Sequence, residues 1–256
     1  MIFDSHIHTD FSSDSQMKLS QALAMADRLG IGLISTEHMD LKYPDKDKFA
    51  FNIDEYFAMY EQWRGDKFLL GIELGMRADC AKENQVIARQ APFDYVLGST
   101  HMVGDKDLYF PAFYEGRIKQ EAFAQYLTAM HNCLKLHPFI DALAHIDYIA
   151  RYAPYTDNHL YYHDFADSID DILRLIIDNE IVLELNTRRL SKAAAQTALL
   201  PIYRRYRELG GALLTLGSDA HTAKDIGSNF GIAWDMAVAC GLKLVYFKNR
   251  KIIVIK

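Results

Sequence analysis

Residues 213–221 read LLTLGSDAH, an apolar run that passes straight into Asp219 and His221. A buried strand has little structural use for an Asp-x-His ending, whereas carboxylate and imidazole are the ligands that hold zinc, iron and manganese. The pattern recurs upstream. FDSHIHT (3–9) carries His6 and His8, GLISTEHMD (32–40) carries His38, and LLGIELG (69–75) carries Glu73. VLGSTHM (96–102) carries His101, ALAHID (142–147) carries His145, and SSDS (12–15) adds Asp14. One HxH pair is weak evidence, although on a strand it puts both rings on one face, as ligation requires. Each further ligand at the same place on a strand makes coincidence a poorer account.

The stretches between these runs have helical character. Periodicity predicts helices over 19–29, 54–63, 82–89, 120–134, 165–177, 199–209 and 230–239. The fourth places Phe123, Leu127, Met130 and Leu134 on one apolar stripe. Strands are predicted over 2–6, 32–36, 68–73, 95–99, 142–144, 181–185 and 213–216, with a terminal pair over 244–247 and 252–255. Strands alternating with helices imply parallel βα units. In a parallel barrel the C-terminal strand ends meet on one face, where active sites of such barrels lie. Ligands far apart in sequence would therefore converge. No linker, repeat or low-complexity tract divides residues 1–256, so one domain is expected. Segments 39–52 and 102–119 have weak periodicity and read as long loops of the kind that often carry function.

The bulk composition narrows the partners. A net charge of −6 counts against nucleic-acid binding as the main activity, since duplex binders usually carry a basic face. Cys80, Cys133 and Cys240 are far apart and form no CxxC, as expected of reduced thiols in a cytoplasmic protein. No apolar run approaches the roughly 18 residues that span a bilayer, so no membrane partner is expected. His131, His137, His159 and His163 lie in a helix, before Pro138 and in a tyrosine-rich loop, and are read as non-ligands. The tyrosines of segment 152–162 could line a pocket or pack on the barrel rim.

Nine ligands exceed the needs of one four-coordinate ion, so two or three metals fit better. Bound metals lower the pKa of water enough to supply hydroxide near neutral pH, and two ions about 3.5–4 Å apart can share it. A carboxylate can bridge such ions and an imidazole cannot, which singles out Glu73 and Asp219. Arg151 in AHIDYIARY and Arg188 in LELNTRRL follow strands on the same face. Their planar guanidinium forks suit a terminal phosphate. Arg189 is the weaker candidate.

In that order, HIHTDFSSDS, STEHMD, GIELG, STHM, AHIDYIAR and GSDAH resemble the polymerase-and-histidinol-phosphatase (PHP) superfamily over nearly the whole chain. The segment 96–127 resembles its stand-alone histidinol-phosphatase branch. The resemblance implies a distorted (β/α)7 barrel, TIM-barrel-like, with the metal site at the C-terminal ends of the strands. It implies three divalent ions, of zinc, iron or manganese. His6, His8, Glu73 and Asp219 would hold the first, Glu73, His101 and His145 the second, and Asp14, His38 and His221 the third. Some members have histidine where this chain has Asp14. Arg151 and Arg188 match the branch's phosphate-binding arginines. The implied activity is hydrolysis of L-histidinol phosphate to L-histidinol and phosphate, a step of histidine biosynthesis. The expected mechanism is in-line attack by a hydroxide bridging two metals, with Glu73, Asp219 and His38 as catalytic residues. The partner is then a small phosphorylated substrate. Two other readings remain open: a PHP-type phosphoesterase for another small monoester, a nucleotide or a phosphotyrosine peptide, and a non-catalytic accessory module. Accessory modules often lose ligands, and all nine are present here.

Overall fold

The computed structural model describes residues 1–45 and 48–255. Its strands are β1 (Phe3–Ile7), β2 (Gly32–Met39), β3 (Phe68–Gly75), β4 (Tyr95–Ser99), β5 (Met102–Val103), β6 (Lys106–Asp107), β7 (Ala142–Leu143), β8 (Val182–Asn186), β9 (Leu213–Gly217), β10 (Lys243–Lys248) and β11 (Lys251–Val254). The α-helices are α1 (Leu19–Leu29), α2 (Ile53–Tyr60), α3 (Ala81–Gln90), α4 (Lys119–Leu136), α5 (Ala166–Asp178), α6 (Ala193–Glu208) and α7 (Phe230–Cys240). Among the described residues no helix is long and apolar enough to cross a membrane.

The main sheet has the order β1-β2-β3-β4-β7-β8-β9-β10-β11 and is parallel except for β11. Its two ends meet. Ile7 bridges Ala220 in parallel, the His8 N–H donates to the Ala220 carbonyl at 2.9 Å, and the Asp219 N–H donates to the His6 carbonyl at 2.7 Å. The parallel strands β1–β4 and β7–β9 thus curl back on themselves at the end that carries the ligands. The α/β architecture expected from the alternating pattern is what forms.

Strand parity explains how the ligands come together. Successive side chains on a strand point to opposite faces. Ile34, Leu69, Leu97 and Val182 belong to one small apolar cluster with Phe3, Tyr95, Val245 and Phe247. His38 lies four residues beyond Ile34, Glu73 four beyond Leu69 and His101 four beyond Leu97, so each shares the inward face of its strand or follows it. The opposite parity, Leu33, Leu70, Ile72, Leu183 and Leu214, packs into the larger core with the helices. In β1 the pairing register slips between Asp4 and Ile7. Gly217 permits the close approach of β9 to β1: a Cβ there would sit 2.1 Å from Glu184 Oε1 and 2.5 Å from His6 Cβ.

Several expectations need correction. β2 runs to Met39 rather than stopping at residue 36, because the polar Glu37 is buried and fully hydrogen-bonded instead of ending the strand. α6 begins at Ala193, six residues before the predicted start. Pro201 lies inside it and removes one helical hydrogen bond, yet the helix continues because Ala195, Ala198, Leu199, Ile202, Tyr203 and Tyr206 bury a continuous face. Segment 102–119 is not a single loop. β5 and β6 pair around Gly104-Asp105, with Gly104 at φ 64°, a two-residue hairpin that glycine permits. A 3₁₀ turn follows at Pro111–Phe113. Residues 46 and 47 of the other predicted loop lie outside the described residues. The three cysteines are free and buried.

Candidate metal centre

Glu73, fully buried in β3, is the hub of the cluster. Its Oε1 lies 3.3 Å from His6 Nε2, 3.3 Å from His101 Nε2 and 3.1 Å from His145 Nε2. Its Oε2 lies 3.4 Å from His8 Nε2 and 2.8 Å from His38 Nδ1. Asp219 faces the same space from beyond β9, with Oδ1 3.3 Å from His8 Nε2 and 3.7 Å from His6 Nε2. Its backbone is left-handed at φ 55°. That conformation is uncommon outside glycine but tolerated by aspartate, and such strain concentrates at functional sites. On the outer side, Asp14 Oδ2 stands 3.0 Å from His221 Nε2 and 3.5 Å from His38 Nε2. All nine ligands named from the sequence therefore converge.

Four triplets have ligand atoms mutually within 4.8 Å: His8–His38–His221, His6–His145–Asp219, His6–His8–Glu73 and His38–Glu73–His101. The buried atoms His6 Nε2, His8 Nε2, His38 Nδ1, His145 Nδ1 and Glu73 Oε2 form no hydrogen bond of good geometry. Buried polar atoms are almost always partnered, because leaving them bare is costly. Five such atoms on ligand-type side chains around one space fit divalent ions. The protonation pattern agrees. Burial would raise Glu73, but His6, His38 and His101 hold it well below the usual carboxylate range. Burial would lower His6, but Glu73, Glu184 and Asp219 hold it well above the ordinary histidine value. Burial, reinforced by His38 and His221, pushes His8 down. The carboxylates are ionised and available, and some imidazoles must shed protons when ions bind.

Further carboxylates, which the sequence reading passed over, orient these ligands. Glu184 in β8 takes His6 Nδ1 at 2.7 Å on Oε1 and the His145 N–H at 2.7 Å on Oε2. Asp40 Oδ1 takes His101 Nδ1 at 3.0 Å. Glu37 accepts hydrogen bonds from the Thr9 N–H and from the hydroxyls of Thr9, Ser12 and Ser35. It thereby pins the turn that carries Asp14. Glu184 had a legible signal: an acidic residue alone in an apolar strand, LEL, as in the IEL of Glu73. Partners of this kind fix the ring orientation of ligating histidines. Glu184→Gln keeps the volume but loses the charge that holds His6. It is expected to weaken metal affinity by about 10- to 100-fold. Competition against a chelator measures this, and unchanged affinity would contradict the role.

The arginines differ in how they are held. Arg151 is nearly buried, with 7% of its side chain exposed, and pairs with Asp219 while donating to Asn186 Oδ1 at 2.9 Å. Arg188 is 43% exposed, and donates to the Asp219 carbonyl at 2.7 Å. Both thus border the cluster. Arg189 is occupied by Asp147 and by His159 Nδ1. His137 is a core histidine, bonded to the Cys133 carbonyl and Asn84. The tyrosine-rich segment divides: Tyr152 lines a cavity beside the cluster, while Tyr155 and Tyr162 pack on the core.

A parallel α/β sheet with histidines and carboxylates gathered at its strand ends defines a class of metal-assisted hydrolases, and the chain's family can be given. The PHP domain model matches residues 4–188, and the chain belongs to the PHP domain family. The segment with Asp219 and His221 lies beyond that match but within the full-length similarities. A probable histidinol-phosphatase of Clostridium acetobutylicum is 48% identical over 250 residues, covering 98% of each chain. The histidinol-phosphatase of Lactococcus lactis subsp. lactis is 32% identical over 228 residues, covering 86% of this chain and 84% of that one. The crystal structure of a histidinol phosphate phosphatase from that organism, complexed with zinc, L-histidinol and phosphate, superposes with a TM-score of 0.93 at 30% identity, covering 98% of both chains.

Proposed function

We propose that the chain is a metal-dependent phosphomonoesterase that hydrolyses L-histidinol phosphate to L-histidinol and phosphate. The observation that carries this reading is the Glu73 hub with its unpartnered imidazole nitrogens, set beside two arginines and a cavity. The names of the relatives supply the substrate. Three ions are assigned as the family resemblance implies: His6, His8, Glu73 and Asp219 for one, Glu73, His101 and His145 for another, and Asp14, His38 and His221 for the third. Zinc is the leading candidate, given the zinc in the Lactococcus lactis complex, with iron and manganese as alternatives.

Divalent ions held there supply a nucleophile from water at neutral pH and offset charge on the phosphoryl group. The chain's own residues do the rest. Glu73 and Asp219 provide the negative charge that gathers cations, and Glu184 and Asp40 lock His6 and His101 in place. Arg151 and Arg188 grip phosphoryl oxygens with forked donors and stabilise charge as the bond to the leaving oxygen breaks. His38 and Asp14, 3.5 Å apart, border both cluster and cavity. As ligands they have no proton to give, so the leaving alkoxide takes its proton from water.

A phosphate gripped by two arginines leaves no room for a second ester group. A substrate panel tests the reading. The kcat/KM for L-histidinol phosphate is expected to exceed that for p-nitrophenyl phosphate by about 100-fold or more, roughly 2.7 kcal/mol of discrimination. Diesters should turn over far more slowly. Equal rates on the two monoesters, or preference for a nucleotide or diester, would favour a different phosphoesterase on the same scaffold.

A further inference from the structure

The cluster opens on one side into a cavity of about 270 Å³. That is slightly below the roughly 300 Å³ at which sites for drug-sized ligands begin, and suits a compact amino alcohol. His38 and His101 form its inner end, with Asp14 and Asp40. Its outer end is built by the two long connections after β2 and β4, which contribute Tyr43 and Asp107.

One wall is a chain of rings. His101 lies 4.8 Å from Tyr148, Tyr148 lies 5.3 Å from Tyr152, and Tyr152 lies 5.0 Å from Tyr109, centroid to centroid. The Arg151 guanidinium sits 5.1 Å over the Tyr148 ring. The wall therefore runs outward from the arginine that grips phosphate, as the body of an esterified alcohol must.

At the outer end the Asp107 carboxylate is held in one orientation. Tyr43 donates its hydroxyl to Oδ2 at 2.6 Å, and the Tyr109 N–H donates to Oδ1 at 2.7 Å. Both donors are neutral, so the negative charge is not cancelled, and a carboxylate has about four acceptor positions, of which these use two. Among the described residues no lysine or arginine pairs with Asp107. Lys106 donates instead to the Ala112 carbonyl at 3.1 Å, and Lys48, the cavity's one lysine among the described residues, lies 3.4 Å from Asp45. Asp14 and Asp40 are already engaged by His221 and His101. Asp107 is thus the cavity carboxylate left free for a cation.

We propose that Asp107, oriented by Tyr43, is the counter-ion for the ammonium group of the substrate, and that Tyr148, Tyr152 and Tyr109 pack its imidazole ring. This rests on the histidinol phosphate reading. An aromatic wall beside a fixed carboxylate selects for a planar ring joined to a cation.

The test compares two substrates on zinc-loaded enzyme: L-histidinol phosphate and its analogue without the amine, 3-(imidazol-4-yl)propyl phosphate. Asp107→Asn keeps the shape and, through its one carbonyl oxygen, the hydrogen bond from the Tyr109 N–H, while the Tyr43 hydroxyl can turn to accept from the new amide; what it removes is the charge. Its kcat/KM on L-histidinol phosphate is expected to fall about 10- to 100-fold, through KM, because a charge-assisted contact is lost. On the analogue it should stay within about 2-fold of the wild type, since that substrate never made the contact. Tyr43→Phe should shift the same ratio in the same direction by less. Calorimetry with L-histidinol should show weaker binding to Asp107→Asn at unchanged zinc content. Equal losses on both substrates, or no loss on either, would overturn the assignment of Asp107 while leaving the function standing. A wild type that does not prefer L-histidinol phosphate would remove the functional reading itself.

Discussion

Glu73→Gln is expected to lower kcat on L-histidinol phosphate by about 1,000-fold or more, since the nucleophile depends on cations this residue gathers. The reason is its position. Five imidazoles, those of His6, His8, His38, His101 and His145, lie within 3.4 Å of its two oxygens. Glutamine fills the same volume but is neutral, and it can offer only one acceptor oxygen where two are used. Metal content should fall together with activity. A variant that keeps both its metal and near-normal turnover would remove Glu73 from the centre of the account.

Asp219→Asn should cost about as much, on the order of 1,000-fold in kcat, with a different signature. Asparagine tolerates the left-handed φ of 55° as well as aspartate does, so the backbone at the end of β9 should hold. What disappears is charge. His6 and His8 lose a shared carboxylate oxygen, and the nearly buried Arg151 loses its ion-pair partner. Removing one member of a buried pair typically destabilises by about 3–5 kcal/mol. The metal-stripped variant should therefore melt well below the metal-stripped wild type, as read by circular dichroism. Unaltered melting together with unaltered kcat would show that Asp219 neither anchors Arg151 nor serves the reaction.

Much of this site is legible in the sequence because strand chemistry is local. An apolar run that ends in His, Glu or Asp declares both its strand and the end at which function gathers. The runs before His38, Glu73, His101 and Asp219 did so, and parity then placed these side chains together. Other features depend on partners distant in sequence. Glu37 looked like the end of a strand, and only its hydrogen bonds from Thr9, Ser12 and Ser35 show why β2 continues through it. Glu184 carried the signal of a lone acid in an apolar strand, but its function appears only once His6 arrives from the other end of the chain. The periodicity places the start of α6 at residue 199, whereas its buried face already begins at Ala195 and Ala198, side chains too small to mark an apolar stripe. The cavity walls come from irregular segments whose meeting, Tyr43 on Asp107, no periodicity predicts.

The most direct test of the central claim is a zinc titration of chelator-stripped protein, following phosphate release from L-histidinol phosphate. The stripped chain should be inactive. Turnover should return as ions bind, reaching its maximum near three per chain, with the ion at Asp14, His38 and His221 the most easily lost. Protons should be released as His6 and His38, both held above the usual histidine value against the effect of burial, give up theirs to ligation. Full turnover by the stripped protein in the presence of chelator would contradict the account.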